Sequence, residues 1–338
     1  MLHDFCAARK ALTGDDPGAP CLETSGSRRS EAGGATAGQT LAGTVVLAVV
    51  RSRGAIGVIV AASPVDRGAD NARVAGDTHE RLFRGLLVLL IAAGGFFGLA
   101  PFLLPTQFAQ LSGFACRDIF MYRIAGAATF GYAVGLAAGF RSDWVALRIP
   151  IAATAVFNAA SIVACLVEIL GGGAQPIVYL ILLASILFTA ATGYFLARPP
   201  VTHGVHEGSG SASSDMAAWV VVLFAVGTVA ATVFGLAALI PAGDFGSAVG
   251  YSGTDDFVYR QGGAATLGAA VGGALVLTSR LWESARIPAL MAITFNALSA
   301  VAAALDIASG GPPIGGLILL AAVVVTIGMS AAVARGGR

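Results

Sequence analysis

The sequence predicts an all-α, polytopic transmembrane helical bundle, with eight spans arranged as two tandem parallel four-helix repeats. Three observations carry this. First, the 338 residues are 56% hydrophobic and 12% charged, with a mean hydropathy of +0.80. Soluble domains carry about 25% charged residues, so this chain has too little polar surface to face water. Second, from Arg81 onward apolar runs of about 20 residues follow one another, each long enough to cross roughly 30 Å of hydrocarbon as a helix. Third, the second half of that region repeats the first.

Residues 1–80 form a largely disordered cytoplasmic N-terminal segment in this reading, rich in Gly, Ala, Ser, Arg and Asp. The opening MLHDFCAARKALTGDDPGAP lacks a basic start followed by an apolar core, so the first span is expected to act as the insertion signal. One apolar patch, residues 41–62, is long enough to span but carries Arg51 and Arg53 at its centre. Each arginine would cost about 2.5–3.5 kcal/mol there. A short hairpin or a surface-lying segment fits this Val/Ile-rich patch better than a ninth span.

The spans fall near 84–104, 120–140, 149–169, 177–197, 217–240, 257–278, 287–306 and 314–334. Residues 81–198 make the first repeat, 199–215 a Pro/Gly/Ser-rich linker, and 216–338 the second repeat. A shift of about 137 residues superposes the copies. YRIAGAATFGYAVG (122–135) matches YRQGGAATLGAAVG (259–272), and 143–168 matches 281–306. Arg123 falls on Arg260, Arg148 on Arg286, Pro150 on Pro288, Asn158 on Asn296, Ser161 on Ser299 and Glu168 on Asp306. An even number of spans per copy gives both the same orientation, related by a pseudo-twofold axis along the membrane normal.

Arginines gather at one set of span ends: Arg81, Arg84, Arg141, Arg148, Arg198, Arg280, Arg286, Arg335 and Arg338. The other set holds Arg117, Arg123 and Arg260 together with Asp118, Glu168, Asp244, Asp255, Asp256 and Asp306. The positive-inside rule then places both termini in the cytoplasm, in a multi-pass protein of the plasma membrane.

The pattern Arg123–Gly131 followed by Trp144–Ile149, repeated at Arg260–Gly268 and Trp282–Ile287, resembles uncharacterised bacterial multi-pass membrane proteins built from four-helix units. The resemblance covers about a third of the chain by that pattern and implies a fold. It transfers no activity and no site.

The candidate polar cluster, ligand-binding or structural, comprises Arg123, Glu168, Asn158, Arg260, Asp306 and Asn296. Span two starts and span three ends on the same side, so Arg123 is expected beside Glu168 and Arg260 beside Asp306. Guanidinium and carboxylate pair strongly at a membrane boundary. Asp118 and Asp255 stand five residues before the two arginines, where they could join the clusters. Asn158 and Asn296 are the deepest strongly polar side chains, expected to serve as interhelical glue or, alternatively, to face a ligand on the axis. Small residues at every fourth position, Ala127–Gly131–Gly135 and Ala264–Gly268–Gly272, make ridges for close helix packing. Pro150 and Pro288 are expected in the first helical turn, and Trp144 and Trp282 in an interfacial belt. Cys116 and Cys165 read as a loop thiol and a small buried residue, since a disulfide demands close Cα geometry.

No catalytic set, metal site or cofactor is expected. The spans hold no histidine, no P-loop and no GxSxG. The linker motif His203–Gly204–Val205–His206–Glu207 reads as solvated. The net charge of +1 predicts no nucleic-acid partner. The chain thus reads as a non-enzymatic membrane protein with a structural, accessory or partner-binding role. Membrane lipid, a second copy or a partner membrane subunit are its expected contacts. The alternative is a small-solute or ion transporter with a site between the repeats.

Overall fold

The computed structural model describes residues 45–52, 55–62, 67–200 and 215–338. Of the 1–80 segment expected to be largely disordered, residues 1–44, 53–54 and 63–66 lie outside the described residues, as does most of the 199–215 linker with its histidines. The chain divides into two units, 1–66 and 67–338.

In the first unit β1 (Val45–Ser52) pairs antiparallel with β2 (Ala55–Ala62), in register from Val45↔Ala62 to Ser52↔Ala55. The valine- and isoleucine-rich composition suits a pleated strand. Arg51 lies opposite Ile56 in this ladder.

Among its described residues the second unit is all-helical apart from a single bridge between Asp215 and Leu281. Its helices are α1 (Arg67–Leu103), α2 (Pro105–Ser112), α3 (Ile119–Ala138), α4 (Trp144–Leu170) and α5 (Pro176–Ala197). They continue with α6 (Ala218–Leu239), α7 (Ala242–Ala248), α8 (Asp256–Ser279), α9 (Trp282–Ala308) and α10 (Ile314–Ala334). All but α2 and α7 are long and apolar enough to cross a membrane, making eight candidate spans among the described residues.

Several boundaries differ from the sequence reading. Helix α1 begins at Arg67, inside the leader, because the polar stretch before the first span is rich in helix formers and carries no proline. Helices α4 and α9 begin at Trp144 and Trp282, so Pro150 and Pro288 sit inside the helices instead of in their first turn. The Pro150 carbonyl accepts the Thr154 hydroxyl at 2.8 Å. Trp282 is buried at the arginine-rich end against the chain terminus near Gly337, not placed in an exposed belt. The short helices α2 and α7 follow the first and fifth candidate spans. Helix α2 opens on Pro105 and ends on Gly113 at φ +81°, the proline-start and glycine-stop punctuation of a helix.

Helices α3, α4, α8 and α9 form the centre. Helix α3 packs on α1 and on α9, while α8 packs on α6 and on α4; α5 and α10 lie outside against α4 and α9. The ridge glycines explain this. A methyl group on Gly131 would lie 3.0 Å from the Met291 carbonyl oxygen, beside Phe295. One on Gly268 would lie 2.6 Å from the Ala153 carbonyl oxygen, beside Phe157. Helix backbones approach this closely only where side chains are absent. Between α3 and α8, the buried Tyr132 hydroxyl donates to the Ala265 carbonyl at 2.7 Å.

Candidate functional site

The N-termini of α3 and α8 meet at the acidic end, where each chain segment entering one helix reaches the other. Phe114 stacks on Phe257 with ring centroids 5.5 Å apart, and Tyr251 stacks on Phe120 at 5.3 Å. Offset aromatic pairs of this kind contribute about 0.5–1.5 kcal/mol beyond their buried area.

Two carboxylates complete the clasp, each 4% exposed. Asp118 accepts four hydrogen bonds from the other segment. Ser252 N–H donates to Oδ1 at 2.9 Å; the Ser252 hydroxyl, Gly253 N–H and Tyr259 hydroxyl donate to Oδ2 at 2.9, 3.0 and 2.9 Å. Asp255 reaches the opposite way, its Oδ2 accepting Arg117 N–H at 2.8 Å and Asp118 N–H at 3.5 Å. Both acids stand just before a helix N-terminus, where the peptide dipoles favour negative charge. Tyr122, at the place equivalent to Tyr259, has no hydrogen-bond partner for its hydroxyl.

The arginines depart from expectation. Arg260 pairs with Glu168, Nη1 to Oε2 at 3.1 Å, and with Asp256, Nη2 to Oδ2 at 2.9 Å. The expected Arg260–Asp306 and Arg123–Glu168 pairs do not form. The cause is helix placement: α8 lies against α4, not primarily against its own successor α9, so the carboxylate at the right depth is Glu168. Asp306 instead accepts the Tyr251 hydroxyl at 2.8 Å. Burial, reinforced by Asp306, pushes the Tyr251 hydroxyl above its usual ionisation range. Arg123 has no ion pair among the described residues; four residues before it stands Ile119, where the second half has Asp256.

This asymmetry predicts unequal effects. Arg260→Gln should lower stability by about 1–3 kcal/mol, because it strands two carboxylates beside a part-buried site. Arg123→Gln should fall within about 0.5 kcal/mol of the parent. Thermal unfolding of the purified variants in one detergent checks the ranking, and equal losses would refute it.

Asn158 and Asn296 lie near the middle of α4 and α9, but neither bonds across to another helix. Each side-chain amide donates to a carbonyl of its own helix, Asn158 to Thr154 and Asn296 to Ala292, both at 2.8 Å. The interhelical glue reading is corrected accordingly. Glue is found three residues on, where the Ser161 hydroxyl donates to Gln261 Oε1 at 2.9 Å across the α4–α8 contact.

The two asparagines line different cavities. One, of about 130 Å³, lies among α1, α3, α4, α5 and α8 and includes Asn158. The other, of about 480 Å³, lies among α3, α6, α8, α9 and α10 and includes Asn296. Both linings are predominantly apolar. Side chains at matching places fit the difference in size: Leu90 and Leu136 line the first cavity where Gly227 and Gly273 line the second.

Sequence reasoning missed Tyr251, Ser252, Tyr259 and Gln261. Only Gln261 left a signal, as the polar residue that interrupts the match of YRIAG with YRQGG. Cys116 and Cys165 are both free thiols. Burial pushes the Cys116 thiol up. Comparison of the chain with protein-family models, with curated proteins and with solved structures returns no match.

Proposed function

We propose that this chain is a multi-pass plasma-membrane protein of two tandem, parallel four-helix repeats, with both termini cytoplasmic, and that its role is non-enzymatic: structural, accessory or partner-binding. One observation carries the functional part. The buried charges of the acidic end are engaged with one another across the two halves. Asp118 and Asp255 bind the opposite entry segments, and Glu168 of one half holds Arg260 of the other. Charges in this arrangement clasp helices together, and among the described residues of this end Arg123 alone of the two repeated arginines stays without an ion pair. The repeat reading is supported by contacts that recur about 137 residues later. Gly98 meets Phe130 as Gly235 meets Leu267, and Gly126 meets Phe102 as Gly263 meets Leu239. The arginine-rich helix ends support the cytoplasmic placement.

The transport reading has one observation in its favour, an asparagine in each cavity. The two cavities are distinct and mainly apolar, which fits a polar permeant poorly. Native mass spectrometry of the intact protein in mild detergent separates the readings. The accessory role expects a second copy, a partner subunit or lipid in the complex. A retained polar solute that disappears in Asn158→Ala/Asn296→Ala would overturn it in favour of transport.

A further inference from the structure

The arginine of the first half is open where its twin is closed. Arg260 holds Glu168 and Asp256, and its Nε is buried. Arg123 occupies the matching place one repeat earlier and makes no ion pair or hydrogen bond among the described residues. It is part-buried, yet none of its guanidinium nitrogens is sealed inside the protein. Both acids that hold Arg260 are missing from its surroundings. Ile119 stands in place of Asp256. Asp306 stands in place of Glu168, one methylene shorter; its Oδ2 already accepts the Tyr251 hydroxyl at 2.8 Å, and its carboxylate lies close against Gly311. Asp118, five residues before Arg123, has both oxygens taken by four donors of the other half. A guanidinium stays charged at any ordinary pH, so this one keeps a full positive charge that no carboxylate of the described residues neutralises.

Its position narrows the anion. Arg123 lies four residues past Ile119, the first residue of α3, about 6 Å along the helix at 1.5 Å per residue. In a span, that is the depth at which headgroups give way to acyl chains. Helical periodicity places Arg123 between Gly126, which meets α1, and Gly131, which meets α9. The surfaces at this depth are apolar. Ile119, one turn earlier on the same stripe, is exposed. Gly126 meets the Phe102 nitrogen, so antiparallel α1 brings Leu103 and Leu104 to the level of Arg123, and both are exposed. Leu305, next to Asp306 on α9, is exposed as well. A soluble anion would have to leave water for this setting. A phospholipid carries its phosphate at this depth, with acyl chains to cover the leucines. Phosphate oxygens match the guanidinium fork two at a time, and a headgroup without an ammonium of its own leaves them free to do so.

We propose that Arg123 binds the phosphate of an anionic phospholipid seated between α1 and α9 at the acidic end, the lipid supplying the counter-charge that Glu168 and Asp256 supply to Arg260. The proposal rests on the membrane placement given above. The test therefore begins with incorporation of the intact protein into nanodiscs of phosphatidylcholine alone; failure there refutes the membrane reading itself. Phosphatidylglycerol is then introduced at rising mole fraction and thermal unfolding is followed. A saturable rise in unfolding temperature is expected, through preferential binding to the folded state. Arg123→Gln should raise the half-saturating fraction about tenfold or more, the loss of a bidentate charge-assisted contact, and change little in phosphatidylcholine. Arg117→Gln removes the same charge from the exposed connecting segment and should keep the response. Ile119→Asp gives Arg123 the acid that Arg260 has four residues earlier, and Asp255–Asp256 show that two acids fit at this helix start. It should raise the unfolding temperature in phosphatidylcholine and abolish the response to phosphatidylglycerol. Inorganic phosphate should have no effect on the parent. No response to phosphatidylglycerol in the parent, an equal loss in Arg117→Gln, a response retained in Ile119→Asp, or the same stabilisation by inorganic phosphate would each overturn the proposal.

Discussion

Replacing Asp118 by asparagine should destabilise this protein by about 3 kcal/mol, while the same change at Asp255 should cost under about 1 kcal/mol. The two carboxylates are equally buried and occupy matching places, so burial alone predicts equal effects. Their partners differ. Asp118 faces donors on both oxygens: one backbone N–H on Oδ1, and a backbone N–H with two hydroxyls on Oδ2. An asparagine must present its NH₂ to one of these sets, and a donor then meets donors. The Tyr259 hydroxyl, on a fully buried side chain, has no water to turn to. Asp255 receives both of its hydrogen bonds on Oδ2, so an asparagine can place its carbonyl oxygen there and keep them. Thermal unfolding in detergent should show a large drop for Asp118→Asn and a small one for Asp255→Asn. Tyr259→Phe combined with Asp118→Asn should recover part of the loss by removing one stranded donor. Similar losses at the two aspartates would mean that the clasp is held by charge at the helix termini and not by these hydrogen bonds.

How much of this was legible in the sequence follows from what each kind of signal encodes. Hydropathy runs reveal helices because an apolar stretch of span length has few other stable conformations in lipid. The four-residue spacing of Ala127, Gly131 and Gly135 reveals a packing face because small side chains on one helix stripe serve close approach. Both signals are local. The depth of a charge can be counted along a helix in the same way, which is how Arg260 and the acids are assigned to one end. Which helix lies alongside is a tertiary fact. Span order puts Asp306 beside Arg260, because one span starts and the next ends on the same side, whereas the ridge on α8 seats against α4 and brings Glu168 there. One local clue to the unequal arginines was present, since Asp256 stands four residues before Arg260 and Ile119 four before Arg123. The clasp was invisible because Ser252, Gly253 and Tyr251 belong to a connecting segment whose path no periodicity describes.

Close backbone approach on the other face of α8 supplies the second large expected effect. Gly263→Ala should cost at least about 2 kcal/mol, although alanine is the better helix former by about 1 kcal/mol. A methyl group on Gly263 would lie 2.7 Å from the Gly235 carbonyl oxygen and 2.7 Å from the Leu239 nitrogen. Both are backbone atoms of α6, so no side chain can turn aside and the helices must separate. Gly126 meets α1 in the same manner, 2.5 Å from the Gly98 carbonyl oxygen and 2.9 Å from the Phe102 nitrogen. Gly193→Ala is the control, because nothing lies within 4 Å of a methyl group there and the helix propensity gain should appear undiminished. The sign of the alanine effect therefore separates two kinds of helical glycine within one protein. In water the loss at Gly263 would be softened by new hydrophobic contacts around the wedge. Between spans in lipid that compensation is absent, since hydrocarbon tails are as apolar as the side chains, and close packing supplies much of the association. A stabilised or unchanged Gly263→Ala would mean that α6 and α8 associate through their flanking side chains and that backbone proximity contributes nothing.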